Sequence, residues 1–574
     1  MKVIKKIYIV IGLVWISVSA LHANPDRDSL FIDPKWHTLF PSKISDNGQW
    51  LLYYQYYPNN SLLNKAFVIN TISTNTTELP EPKDFIFFAD HMLIGKSDGD
   101  MSIYNLKTSK IIDRYSGIQN SDVLDKLDAI CYLTDNGQLN ILQYKKNKPT
   151  IIISDSCVKK YMLSPDKKQL LYLKENQNIE LFAIDLESLK TRKQIDLEEI
   201  PAQVVWNIEN TVCAIVKTNN ALSVINLNNG KIKDIKLPVS KEQKIKISAD
   251  FFLNNDLYIS YNLKQQPQKE DEYLDIWNGN ARDLHVAYKR ELTPKAYVYQ
   301  YTQEKLVELD RRNDREFLNI NIPNHIISYN PFEFVSYLVP YEIKRFVLEQ
   351  IEPRKKVTEL SVSYNFPTSY AISPNNEYII YPKEEFWELY NFKTQQKSKI
   401  KHDHPDTRPI WSKDSGLLYI QTENNLIEYN IKTHKAKSIT DFKENTSVVI
   451  INNSFKKGYT EIDNASPILF KISHPNYLTS VYSYHNGKVL KIIDKTKKHI
   501  NTKYLSLLTS KDAQTLAYTQ EDYKDPPSVR VWRKEKTKIL RESDMPHNLY
   551  DWRKQEKINY KDKYGKELTG VLYY

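Results

Sequence analysis

The sequence predicts an all-β fold, a β-propeller assembled from units of about 40 residues. Three observations carry this. Short segments nearly repeat: "YNLKTSK" at 104–110, "YNFKTQQK" at 390–397 and "YNIKTHK" at 429–435, with looser copies "AIDLESLK" at 183–190 and "INLNNGK" at 225–231. Their polar residues, Asn105, Asp185, Asn226, Asn391 and Asn430, are separated by 80, 41, 165 and 39 positions, near multiples of one blade length. A second signature runs in phase. Ser45, Ser164, Ser373 and Ser510 each begin a Ser-x-Asn/Asp triplet and are followed eight residues later by Tyr53, Tyr172, Tyr381 and Tyr518. Ser412 reaches Tyr419 one residue early. Finally, helical periodicity is scarce between residues 40 and 545.

Each piece of the unit has a physical reason. Ser and Asp/Asn cap a turn by bonding local backbone N–H groups. A strand rich in Leu, Ile and Tyr follows. A short polar turn leads to an alternating strand that ends in the Tyr-Asn-Ile-Lys-Thr type of sequence, and a Lys-rich turn opens the last strand. Residues 417–440, "LLYIQTENNLIEYNIKTHKAKSIT", show the unit well, and 131–153 share its layout. About eleven such units fit the chain. A single ring usually holds four to eight blades, so two consecutive rings are expected; the alternative is one large ring with insertions. The charged stretch 265–271 marks a linker or an inter-strand insertion.

The chain opens on a basic and then apolar segment. Lys2, Lys5 and Lys6 precede an uncharged run, 7–20, and small-residue cleavage sites end at Ala20 and Ala23. This predicts a signal peptide over 1–23, with the uncleaved anchor as the alternative. The apolar run is short of the roughly 20 residues that span a bilayer. The expected product is exported, periplasmic or secreted and bacterial, with no membrane span after signal cleavage. The formal net charge is +10, with 80 basic and 70 acidic residues mixed throughout. No long basic block appears, so no nucleic-acid partner is expected. Three cysteines, Cys131, Cys157 and Cys213, are too few for a disulfide framework and read as buried apolar residues, with at most one bridge.

Motifs that could carry chemistry are weak. Gly95-Lys96-Ser97-Asp98-Gly99 matches the G-x-S-x-G nucleophile elbow, which needs a strand before it and a helix after it. Here a second strand follows, so the pentapeptide reads as a hairpin turn. His402-Asp403-His404 could bring two imidazoles to a metal but reads as a polar turn before Pro405. Glu384-Glu385, beside Phe386-Trp387, could bind an amine but falls at a tight turn of its unit. Asp275-Ile276-Trp277-Asn278 and Val529-Arg530-Val531-Trp532 read as strands with core tryptophans. No catalytic, cofactor-binding or metal-ligating residue is assigned, and no cofactor is expected.

The chain closes on "YKDKYGKELTGVLYY", 560–574. Asp562-Lys563-Tyr564-Gly565 reads as a turn between two strands, an apolar hairpin with nothing after it to cover it. Residues 506–533, "SLLTSKDAQTLAYTQEDYKDPPSVRVWR", followed by 552–574, "WRKQEKINYKDKYGKELTGVLYY", resemble the junction in serine peptidases of the prolyl oligopeptidase family. There a propeller blade ends, a linker follows and such a hairpin opens an α/β-hydrolase domain. The resemblance extends from about Trp36 onwards. It implies a division into signal peptide 1–23, propeller region 24–545, and linker with the start of a hydrolase domain at 546–574. It also implies that the family's catalytic Ser, Asp and His lie beyond residue 574, so no position here takes those roles. The hydrolase domain would belong to a full-length protein or to a separate chain, with short peptides as substrates. The alternative is a non-catalytic exported propeller that binds or scaffolds.

Overall fold

The computed structural model describes residues 37–573 apart from 265–291, 335–343, 364–369, 402–408, 452–460, 501–506, 545–554 and shorter stretches of up to five residues. The expected signal peptide, 1–23, and the linker at 546–554 lie outside the described residues.

Four consecutive antiparallel strands make a blade. In blade 1, Thr38–Ile44, Trp50–Tyr56, Lys65–Asn70 and Thr76–Leu79 pair in chain order. Ten further blades follow at 84–116, 118–155, 158–197, 203–235, 248–308, 316–363, 371–401, 410–438, 447–496 and 499–542. Two depart slightly. Blade 9 carries an extra short strand, Glu461–Ile462, and the first strand of blade 11 is split into His499–Ile500 and Leu507–Thr509. First strands of neighbouring blades approach one another. Fourth strands such as Lys435–Ser438 are exposed throughout. The first strands therefore line the axis and the fourth strands form the rim. Middle strands such as Val212–Val216 are buried along their whole length, because both faces meet a neighbouring blade.

The core is a circuit of eleven apolar clusters, each joining two consecutive blades. Trp50, Leu52 and Val68 of blade 1 meet Phe85, Leu93 and Tyr104 of blade 2. Blades 6 and 7, midway, share Phe252, Val298, Phe317 and Ile326. The circuit closes where Leu39, Leu51, Tyr53 and Ile69 of blade 1 pack on Ala517, Val529, Val531 and Leu540 of blade 11. Burying each such side chain contributes about 1.5–3 kcal/mol. The chain is thus one ring of eleven blades. The expected partition into two rings is corrected, and the single large ring with insertions is what the structure shows. The stretch 265–271 lies between Leu257–Lys264 and Leu292–Gln300, which pair with each other, so it belongs to an inter-strand insertion in blade 6.

The repeat signatures are turn chemistry. After the first strand, the hydroxyls of Ser45, Ser164, Ser373, Ser412 and Ser510 each accept from the N–H five residues on, at 2.8–3.0 Å. The same hydroxyls donate to Asn47, Asp166, Asn375, Asp414 and Asp512. Asp166 and Asp414 thus occupy equivalent turns. Between the third and fourth strands, Asn105, Asp185, Asn226, Asn391 and Asn430 accept from the N–H two or three residues on. Both turn types lie on one face of the ring, here called the turn face.

Among the described residues no strand is exchanged across the seam between blades 1 and 11. Besides its apolar cluster, the seam holds a backbone bond from Lys511 N to Asp46 O at 2.9 Å. It also holds His37, which is 2% exposed and meets Ser543 Oγ at 2.8 Å. Gly48 permits the close approach: its φ is +68°, and a Cβ there would sit 2.5 Å from Thr515 Oγ1.

Residues 555–573 form a separate two-stranded sheet, Gln555–Lys561 with Glu567–Tyr573. Gly565 takes φ +81°, and Asp562 Oδ1 accepts from Tyr564 N at 2.8 Å and Lys566 N at 2.9 Å, as the turn reading expects.

Candidate functional site

The place eleven blades create is the axial channel. Packed sheets stand about 10 Å apart, so opposite first strands face each other across an opening on the order of 30 Å. Its wall is stitched between blades by polar side chains. Lys43 Nζ of blade 1 reaches Asp84 Oδ1 of blade 2 at 3.0 Å. Tyr161 of blade 4 donates to Asp122 of blade 3 at 2.7 Å. Asn319 Nδ2 of blade 7 donates to Asp250 Oδ2 of blade 6 at 3.1 Å. Desolvation by the surrounding wall raises the Asp250 carboxyl above its ordinary value. Inside this wall Glu461–Ile462 runs parallel to the first strand of blade 9, Ile410–Ser412, with Trp411 opposite Glu461. One inner edge is therefore occupied by the chain itself.

Of the sequence candidates, Ser97 and Val529-Arg530-Val531-Trp532 are described, and they lie in different blades, 2 and 11. Ser97 ends the strand Met92–Ser97, and Asp100–Asn105 begins three residues later with Ser97 paired to Asp100. Gly99 turns the hairpin at φ +77°. No helix follows, so the elbow geometry is absent there, as the hairpin reading expects. His402-Asp403-His404, Glu384-Glu385 and Asp275-Ile276-Trp277-Asn278 lie outside the described residues. Val529 and Val531 belong to the seam cluster, and Trp532, on the opposite face, packs between blades 10 and 11. All three cysteines are free: Cys131 and Cys213 are buried and Cys157 is exposed. Burial pushes the Cys213 thiol up to about 12 and raises Cys131 further, so neither is a thiolate near neutrality.

One grouping was not legible in sequence. His37, Ser543 and Asp544 bring together the residue types of a hydrolytic triad. Yet Ser543 Oγ at 2.8 Å and Asp544 Oδ1 at 3.2 Å both approach the same ring nitrogen, Nε2. A triad needs the carboxylate on one nitrogen and the nucleophile on the other. The arrangement is a clasp between the two ends of the ring.

Two polar clefts open between blades near the turn face. One of about 320 Å3 lies between blades 6 and 7 and is lined by Asn254, Asp256, Gln300, Asn324 and Glu352. Lys305 Nζ and Gln300 Nε2, each 2.7 Å away, hold the Glu352 carboxyl below its ordinary value. The other, about 250 Å3 between blades 4 and 5, is lined by Asp166, Asp185, Lys190, Arg192 and Asn210. Neither is lined by a histidine or cysteine. Among the described residues no group of three or more His, Cys, Asp or Glu is placed to hold a metal ion. No helix among them is long and apolar enough to cross a membrane.

No protein-family model matches the sequence, and no curated protein matches it. Among solved structures, the chain is similar to Porphyromonas gingivalis dipeptidyl peptidase 4, at 9% identity and TM-score 0.37 over 85% of this chain and 64% of that one. It is similar to a putative dipeptidyl aminopeptidase IV from Bacteroides ovatus, at 11% identity and TM-score 0.33 over 94% and 66%. It is also similar to a eukaryotic initiation factor, at 9% identity and TM-score 0.33 over 69% and 94%. The chain thus spans just under two thirds of each of these two peptidases.

Proposed function

We propose that this chain is the access-limiting propeller of an exported serine peptidase resembling the prolyl oligopeptidase family, and that it does not hydrolyse peptides by itself. The observation that carries the reading is the single closed ring and its channel. An opening on the order of 30 Å between backbones, narrowed by side chains, admits an extended segment or a helix about 10–12 Å across. It excludes a folded domain of about 100 residues, whose radius of gyration is about 13 Å. The junction-like sequence at 506–533 and 552–574, with its hairpin forming a sheet separate from the blades, supports a following hydrolase domain. There, a Ser activated by a His that an Asp orients would attack the peptide carbonyl. That machinery would come from further sequence or a separate chain. The basic and apolar segment at 1–23 supports export.

A fluorophosphonate probe tests the division of labour. The purified chain should remain unlabelled, whereas the envelope fraction of the producing cells should yield a labelled hydrolase that carries this propeller or co-purifies with it. Labelling of Ser97 that is lost in Ser97→Ala would overturn the reading. So would a propeller that co-purifies with no hydrolase, which is the outcome expected of a non-catalytic binding or scaffold protein.

A further inference from the structure

The ring sorts lysines that look scattered in the sequence. Nine of the eleven fourth strands begin on lysine, among them Lys110, Lys190, Lys435, Lys488 and Lys536. In blade 5, Lys231 directly precedes the strand Ile232–Ile235. Blade 1, whose fourth strand opens on Thr76, is the exception. These six named lysines are exposed, and no ion pair engages them among the described residues. Further lysines sit in the same turns, Lys107 in blade 2 and Lys432 in blade 9, together with Lys393 in blade 8, which pairs with Glu377. The acids of these turns are largely engaged: Asp185 caps its own turn, Glu304 pairs with Lys233, and Glu352 pairs with Lys305.

Lysine on an outer strand also discourages edge-to-edge pairing, and that accounts for lysine anywhere along such a strand. It does not account for lysine at the same end of nearly every one. Equivalent positions in successive blades of a closed ring fall on a circle around the axis, here at the rim of the turn face. A flat partner can touch every member of such a circle at once, whereas a linear polymer follows only an arc. Each contact is weak, and many engaged together are strong. The charge is carried by Lys with few Arg, which suits point-charge contact with phosphates more than bidentate reading of bases.

We propose that the turn face of this propeller docks flat on an anionic, phosphate-bearing membrane surface through its rim of lysines. This is independent of the peptidase reading. The test is co-sedimentation of the purified chain with vesicles of roughly one part phosphatidylglycerol to two parts phosphatidylcholine, against pure phosphatidylcholine. Binding should need the anionic lipid and be lost at about 0.5 M salt. The triple variant Lys190→Glu, Lys435→Glu, Lys536→Glu should bind more than about tenfold more weakly. A control variant, Lys160→Glu, Lys236→Glu, Lys401→Glu, changes exposed lysines away from those turns and should bind like the parent. Melting curves verify that both variants fold; if the rim variant does not, the salt and lipid dependence of the parent decides. Equal binding to neutral vesicles, equal loss in both variants, or binding to a short DNA duplex without binding to vesicles would overturn the proposal.

Discussion

In the turn that follows the first strand of blade 9, one hydroxyl holds both ends of the bend. Ser412 Oγ accepts from Leu417 N at 2.8 Å and donates to Asp414 Oδ1 at 2.6 Å, while Gly416 N donates to the same carboxylate oxygen at 3.0 Å. The Ser412 bond leads in holding the Asp414 carboxyl below its ordinary value. Replacing Asp414 by Ala should cost about 1 kcal/mol near neutral pH, measured by urea unfolding. A depressed carboxyl stabilises the fold above its unfolded value, near pH 4, and loses that contribution as pH falls through its folded value. The gap between parent and Asp414→Ala should therefore narrow in acid; a gap that widens would contradict the cap. The serine turns were legible because five copies share one spacing. The meaning of the short spacing at Tyr419 was not. At eight residues, Tyr53, Tyr172, Tyr381 and Tyr518 face the preceding blade. At seven, Tyr419 faces the following blade and Ile420 takes the usual place. One residue flips a strand side chain to the other face.

Among the elements, the blade strands and the terminal hairpin differ in what covers them. A middle blade strand such as Val212–Val216 is packed on both sides, whereas the hairpin 555–573 is a two-stranded sheet with Ile558 37% and Tyr560 51% exposed. Two-stranded hairpins are marginal in water. Deleting 555–574 should leave the propeller's melting temperature nearly unchanged and improve solubility; unfolding of the propeller on deletion would make the hairpin part of that fold and remove one support of the hydrolase reading. Some elements were hidden because a different residue does the same work. Asn207 of blade 5 replaces the turn serine, accepting from Val212 N at 3.0 Å, and Asn70 of blade 1 caps its turn by accepting from Ile72 N at 2.9 Å. Neither sits in a copy of the repeat motif.

For the whole molecule, the decisive fact is which blade meets which. Repeat spacing counts units but carries no mark of where a ring closes, since every unit is apolar on both sides. Closure depends on Ala517, Val529, Val531 and Leu540 fitting Leu39, Leu51, Tyr53 and Ile69, residues far apart in the chain. The His37–Ser543–Asp544 clasp was illegible for the same reason. The rim of lysines was also hidden: acids and bases alternate along the chain, and the alignment of Lys110, Lys190, Lys435, Lys488 and Lys536 at one end of the fourth strands emerges only when the blades are set side by side. The access-limiting role and the flat docking face both require one wide ring. Single-particle electron microscopy of the purified chain, viewed down the axis, tests that directly. Eleven blades around one central opening is the expected image. Two lobes, each with its own smaller opening, would contradict it.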